Sequence, residues 1–130
     1  MAKILLIDDD EQLRVILHRL LTGAGHAVTT ACDGADGLRR FRADPADLVI
    51  TDIIMPDQEG LETIMKLRGE HPHVGIIAIS GGRAESAEWL KVAGLLGAGR
   101  TLAKPFTLQQ LTEAIAKTLA AGSNARGEMS

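Results

Sequence analysis

Four short apolar runs, each followed by a polar residue, constrain the fold of this 130-residue chain more than any other feature. The most informative run covers residues 48–51 and leads into the single carboxylate of Asp52. Runs of this length, rich in β-branched residues, are typical of strands that are buried on both faces of a parallel sheet. Because burying an unpaired carboxylate is costly, Asp52 needs a partner.

The other three runs lie far from Asp52 in the chain, and each is followed by a side chain suited to phosphate chemistry. In an open parallel sheet, ligands bind beyond the carboxyl ends of the strands. We therefore expect one pocket to collect carboxylates, a hydroxyl and an ammonium group. In chain order, the groups are Asp8, Asp9 and Asp10, then Asp52, Ser80 and Lys104.

Apolar strand patterns alternate with helical patterns five times along the chain. Such alternation predicts an α/β fold, in which a parallel sheet carries helices on both faces and the crossovers are right-handed. The strand at residues 26–31 is more polar than the others, and we expect it at an edge. The predicted strands cover residues 3–7, 26–31, 48–52, 75–79 and 100–103.

Local signals mark the ends and faces of the helices. Asp9 or Asp10 is expected to cap the first helix, and residues 107–110 resemble a capping box at the start of the last one. The fourth helix is predicted at residues 84–96. A single apolar stripe is predicted for the first helix, formed by Leu13, Ile16, Leu17, Leu20 and Leu21.

Composition indicates one ordinary globular domain. Hydrophobic residues make up 45% of the chain and charged residues 24%, and the net charge is −3. Since there is no basic stripe and the only aromatic residues are Phe41, Trp89 and Phe106, we expect no direct contact with nucleic acid.

Cysteine content and hydropathy indicate the cellular compartment in which the protein is expected. Cys32 is the only cysteine, which excludes an internal disulfide, and we expect a small buried side chain there. No apolar run is long enough to span a membrane, and residues 1–3 lead into a strand rather than a signal peptide. We therefore predict a cytoplasmic protein without a membrane segment.

The predicted pocket suits a divalent cation and phosphoryl transfer. Asp8 and Asp9 would repel Asp52 without a counter-ion, and Mg²⁺ accepts carboxylates while leaving room for phosphate. Asp52 could then act as a nucleophile and form an aspartyl phosphate. Lys104 and Ser80 are placed to contact the phosphoryl oxygens.

Four motifs in register resemble the receiver domains of two-component response regulators. They are the acidic pair after the first strand, the TDIIMPDQEG stretch, the serine with glycines after the fourth strand and the KPF sequence. The resemblance covers residues 2–121. We therefore expect a receiver domain at residues 1–121 and a disordered C-terminal tail at residues 122–130. The resemblance implies a flavodoxin-like (CheY-like) doubly wound sheet of five strands, with order 2-1-3-4-5 and five helices.

The resemblance also implies a function. The chain is expected to be a stand-alone receiver in a phosphorelay, a switch rather than an enzyme, whose Asp52 takes phosphate from a histidine kinase or a histidine phosphotransfer protein. An unidentified output protein would bind the face formed by the fourth helix, fifth strand and fifth helix. The implied Mg²⁺ ligands are Asp9, Asp52 and the backbone carbonyl of Ile54, with Asp8 acting through water, and the implied phosphate contacts are Ser80 and Lys104.

Two departures from the family pattern concern its output face. Thr101 stands where many receivers have Tyr or Phe, so the aromatic switch of those proteins is impossible here. The stretch between Ser80 and Lys104 is slightly longer than usual, and the loop with Gly82 and Arg83 is expected to absorb the difference.

Two other classes of function remain open at this point. Residues 8–10 also satisfy the Asp-x-Asp motif of haloacid-dehalogenase-like phosphatases, in which case Asp8 would be the nucleophile. A receiver-like binding module that is never phosphorylated is the other class.

Overall fold

The computed structural model describes residues 2–53, 59–81 and 86–129. Within these residues, all strands join one parallel sheet of order β2-β1-β3-β4-β5. The predicted α/β architecture and its 2-1-3-4-5 strand order are confirmed. The strands are β1 (Lys3–Ile7), β2 (Ala27–Ala31), β3 (Leu48–Asp52), β4 (Gly75–Ser80) and β5 (Arg100–Ala103).

Helices alternate with these strands, as expected for parallel neighbours joined by crossovers. The described part of α4 begins at Ser86, and residues 84 and 85 of the predicted helix lie outside the described residues. The helices are α1 (Glu11–Gly23), α2 (Gly34–Ala43), α3 (Glu59–Glu70), α4 (Ser86–Leu96) and α5 (Leu108–Met129).

The sheet separates two apolar layers, and the alternation of side chains along β1 shows how. Ile4 and Leu6 pack with buried residues of α1 and α5. Leu5 and Ile7 pack on the opposite face with α2, α3 and α4. Because both faces are covered, a central strand must be apolar at nearly every position.

Burial along the strands follows their place in the sheet. Every residue of the central strands β3 and β4 is buried, whereas most residues of the edge strands β2 and β5 are at least partly exposed. The prediction that the polar second strand lies at an edge is therefore confirmed.

The face of α1 differs from the predicted stripe. Leu17 and Leu21 are buried and Leu13 is partly buried, but Ile16 is 54% exposed and Leu20 is 41% exposed. Since each helical residue turns by about 100°, positions four apart follow the line of contact with the sheet, and their neighbours leave it. The prediction was wrong for Ile16 and Leu20.

Cys32 was also predicted wrongly, because it is exposed. Ala31, at the end of β2, is buried against the core. Cys32 follows the last residue of β2 and lies in the short connection to α2, and such connections run over the surface.

Helix caps follow the sequence signals. Asp10 is the N-cap of α1, where its carboxylate accepts the Leu13 N–H at 3.2 Å. At α5, the Thr107 hydroxyl accepts the Gln110 N–H at 3.0 Å, and the Gln110 side chain accepts the Thr107 N–H at 2.8 Å. These reciprocal bonds confirm the capping box.

The backbone of α5 is helical from Leu108 to Met129. The domain boundary at residue 121 and the tail at 122–130 stay predictions. No helix in the described part of the chain is long and apolar enough to cross a membrane.

Candidate functional site

The carboxyl ends of the central strands bring distant acidic residues to one edge of the sheet. Ile7 of β1 lies beside Thr51 of β3, so Asp8 and Asp52 each follow at the same level. Asp52 in turn lies beside Ile79 of β4. Parallel register therefore produces the convergence that the strand ends predicted.

Three carboxylates form a cluster at this edge. One oxygen from each of Asp8, Asp9 and Asp52 lies within 4.8 Å of the others. Asp8 and Asp52 are buried, with 1% and 5% of their surface exposed, whereas Asp9 faces solvent. The cluster thus has a protein side and an open side.

The chemistry of this donor set fits Mg²⁺. The ion prefers hard oxygen ligands, binds through a small number of carboxylates and keeps several waters. Asp8, Asp9 and Asp52 supply the carboxylates, and the exposed side of Asp9 leaves room for the waters. The backbone carbonyl of Ile54, another predicted ligand, lies outside the described residues.

Asp8 is fixed by hydrogen bonds from three directions. Its N–H donates to the Ala31 carbonyl at 3.2 Å, which continues the β1–β2 ladder by one residue. Its carboxylate accepts the Asp10 N–H at 2.9 Å, and its carbonyl accepts the Arg14 guanidinium at 2.7 Å. The turn that carries Asp9 is therefore held between two anchored neighbours.

The environment of Asp8 works against its charge. Burial raises the pKa of its carboxyl group above the ordinary value, and the nearby carboxylates of Asp52 and Asp9 add to the increase. The hydrogen bond from the Asp10 N–H and the charge of the Lys104 ammonium lower this pKa, but the net change is still an increase. In the absence of a metal, the cluster is therefore electrostatically strained.

Lys104 is the cation of the site. Its Nζ lies 3.1 Å from the Asp52 carboxylate and 3.7 Å from that of Asp8. Burial alone would lower the pKa of Lys104, but the attraction of Asp52 and Asp8 outweighs it, so the pKa is raised. The Lys104 N–H donates to the Ser80 carbonyl at 2.7 Å, and the Lys104–Pro105 bond is cis.

Ser80 lies at the end of β4, beside Ala103 of β5, and is fully buried. Its hydroxyl donates to the Gly81 carbonyl over 3.5 Å, which is a weak bond. Ser80 and Lys104 are thus joined at the ends of neighbouring strands. Thr101 is exposed on β5, while residues 82 and 83 of the preceding loop lie outside the described residues.

Gly60 is a feature of the site that sequence analysis did not identify. A Cβ at this position would lie 2.4 Å from both the Asp52 carbonyl oxygen and the Ile53 Cα. The first turn of α3 therefore rests directly on the backbone that carries Asp52. In the sequence, Gly60 is the last residue of the TDIIMPDQEG stretch, and nothing in that motif indicates the close approach.

Comparison with family models matches residues 4–116 to the family described as response regulator receiver domain. The chain is 36% identical over 111 residues to Response regulator MprA of Mycobacterium tuberculosis, covering 85% of the chain and 47% of that protein. It is 38% identical over 120 residues to the DNA-binding transcriptional regulator NtrC of Azospirillum brasilense, covering 91% and 24% respectively. The chain spans about half, or less, of the length of these relatives.

Among solved structures, a response regulator receiver domain protein from Clostridium thermocellum superposes with a TM-score of 0.88. The two are 31% identical, and the match covers 96% of this chain and 99% of that one. The similarity therefore includes the whole sheet and the edge at which the carboxylates meet.

Proposed function

The chain belongs to the response regulator receiver domain family, and from this premise we propose that Asp52 accepts a phosphoryl group from a histidine kinase or histidine phosphotransfer protein. One observation carries the proposal. The Lys104 ammonium lies 3.1 Å from Asp52, inside a cluster in which the oxygens of Asp8, Asp9 and Asp52 lie within 4.8 Å.

The proposed step is an in-line displacement. A carboxylate oxygen of Asp52 attacks the phosphorus of a phosphohistidine, so that an O–P bond forms as the P–N bond breaks. The electron pair of the P–N bond returns to the departing imidazole nitrogen. Such a transfer requires mainly positioning and the neutralisation of charge on the equatorial oxygens.

The residues of the site divide these tasks. Asp8, Asp9 and Asp52 would hold Mg²⁺, which supplies charge neutralisation at the phosphoryl oxygens. Lys104 is already desolvated beside Asp52 and offers its ammonium to a second oxygen. Ser80, at the end of β4, offers a hydroxyl to a third.

The geometry favours Asp52 over Asp8 as the nucleophile. Asp8 is 1% exposed and one of its oxygens already accepts the Asp10 N–H, while Lys104 is closer to Asp52. A haloacid-dehalogenase-like phosphatase would need Asp8 in that role. We therefore do not propose that alternative.

The test is incubation with acetyl phosphate and Mg²⁺, followed by intact mass spectrometry. Wild-type protein and Asp44→Asn, which alters an exposed carboxylate away from the cluster, should gain one phosphoryl group. Asp52→Asn should gain none. A gain that persists in Asp52→Asn but disappears in Asp8→Asn would support the phosphatase assignment instead.

The proposal extends to output. Phosphorylation at Asp52 would act through Ser80 and Lys104 on the face formed by α4, β5 and α5, to which an output protein or domain binds. Thr101 lies on that face and is exposed, so the response there cannot depend on an aromatic side chain at position 101. A cytoplasmic location and the absence of direct nucleic-acid contact remain predictions.

A further inference from the structure

We propose that Arg14 is a positioning residue, which holds the turn between β1 and α1 so that Asp8 and Asp9 face Asp52. The proposal rests on the function proposed above, because the turn supplies two of the three carboxylates expected to bind Mg²⁺. Arg14 itself would touch neither the ion nor the phosphoryl group.

Arg14 binds the backbone on both sides of Asp9. Its guanidinium Nη1 donates to the Asp8 carbonyl at 2.7 Å, and its N–H donates to the Asp10 carbonyl at 2.9 Å. The side chain is half-buried, so its bond to Asp8 is partly shielded from water. The bond to Asp10 is the ordinary backbone bond at the start of α1, so the guanidinium bond to the Asp8 carbonyl is the one that depends on arginine.

The bond from the Arg14 guanidinium to the Asp8 carbonyl differs from the other hydrogen bonds of Asp8 in the element that supplies the donor or acceptor. The Asp8 N–H is held by β2, and the Asp8 carboxylate is held within the turn by Asp10. The Arg14 guanidinium instead connects the end of β1 to the second turn of the helix that follows. It therefore sets the angle between the strand end and α1, and with it the direction in which Asp9 projects.

Two effects of Arg14 on Mg²⁺ have opposite signs, which makes the proposal testable. Its positive charge lies beside the cluster and repels a cation, so charge alone predicts that removing it strengthens Mg²⁺ binding. Its hydrogen bond orders the ligands, so positioning predicts that removing it weakens binding. The direction of the change distinguishes the two.

The experiment measures Mg²⁺ affinity of the unphosphorylated protein by calorimetry at a temperature at which every variant is folded. Arg14→Met keeps much of the length of the side chain but removes its donors, and it should bind Mg²⁺ about tenfold more weakly, as is usual when a partner of a metal ligand is lost. Arg14→Lys retains a donor and should recover most of that loss. Arg19→Met, an exposed arginine on the same helix, should leave the affinity unchanged.

A second readout separates positioning from chemistry. At saturating Mg²⁺, Arg14→Met should be phosphorylated by acetyl phosphate at nearly the wild-type rate, with only the half-saturating Mg²⁺ concentration increased. If Arg14→Met does not fold, Arg14→Leu is measured in its place, because its apolar side chain also lacks a hydrogen-bond donor.

Unchanged or tighter Mg²⁺ binding by Arg14→Met, or by Arg14→Leu in its place, would overturn the proposal. A wild-type protein that binds Mg²⁺ but gains no phosphoryl group would contradict the proposed function alone, and the affinities would still decide the role of Arg14. A wild-type protein that does not bind Mg²⁺ would end both.

Discussion

At the scale of single residues, the site is a balance between carboxylates that repel and one ammonium that offsets them. Lys104 approaches both Asp52 and Asp8, yet burial and the neighbouring carboxylates still raise the pKa of Asp8. An ionised group that the fold holds under such conditions lowers stability while it prepares a binding site.

Asp8→Asn should therefore be more stable than wild type in Mg²⁺-free buffer at neutral pH. The raised pKa means that folded protein binds the Asp8 proton more tightly than unfolded protein does. The resulting penalty is absent below the ordinary pKa of 3.8, grows as the pH rises through the raised pKa, and is complete above it.

Thermal unfolding across this pH range measures the effect. The advantage of Asp8→Asn over wild type should be large at neutral pH and should shrink as the pH falls toward 3.8. An advantage independent of pH would contradict the assignment.

The site residues divide into those that sequence could predict and those that it could not. Asp52 and Lys104 were predicted because each follows a strand, and parallel strands must end together. Arg14 and Gly60 were not, because their roles depend on the angle at which a helix leaves a strand, and no local pattern encodes that angle.

At the scale of elements, α3 and β3 meet without a side chain between them. Gly60 lies in the first turn of α3, and an added Cβ would press on the Asp52 carbonyl and the Ile53 Cα. Backbone atoms cannot move aside as the end of a flexible side chain can, so substitution must shift either the helix or the strand end.

Gly60→Ala should lower the free energy of unfolding by about 1–3 kcal/mol, the usual cost of overpacking, and should also weaken Mg²⁺ binding by displacing Asp52. Gly69→Ala is the matched control, because a Cβ there would meet no heavy atom within 4 Å. It should be neutral or stabilising by up to about 1 kcal/mol. Urea denaturation measures both, and equal stabilities of the two variants would contradict the close approach.

The faces of elements were harder to predict than the elements themselves. The apolar pattern identified α1, but it included Ile16 and Leu20 in the buried stripe. Of the predicted stripe, only Leu17 and Leu21 are fully buried. The width of the buried face depends on how the sheet curves beneath the helix. The prediction for Cys32 failed because β2 ends one residue before it, which leaves the side chain in an exposed connection.

At the scale of the whole molecule, the carboxylate cluster connects segments that are distant in sequence. Asp8 and Asp9 follow β1, Asp52 ends β3, and the cation between them follows β5. A ligand that binds these groups only when they are together stabilises the entire fold.

Mg²⁺ should therefore increase the unfolding temperature of the unphosphorylated protein in a concentration-dependent manner. At a hundredfold excess over the dissociation constant, the stabilisation should be about 2.7 kcal/mol. Asp9→Asn should respond only at higher Mg²⁺ concentrations, and Asp44→Asn should follow the wild type. An unfolding temperature that ignores Mg²⁺ would show that the cluster does not bind the ion.

The position of Lys104 means that the cost of removing water from its ammonium is met when the protein folds. Folding itself partly buries its ammonium and places it 3.1 Å from Asp52, so this arrangement exists before any phosphoryl transfer. A phosphoryl group attached to Asp52 would therefore find the Lys104 ammonium already beside it and would not need to recruit a hydrated cation. Such preorganisation removes solvent rearrangement from the moment of transfer.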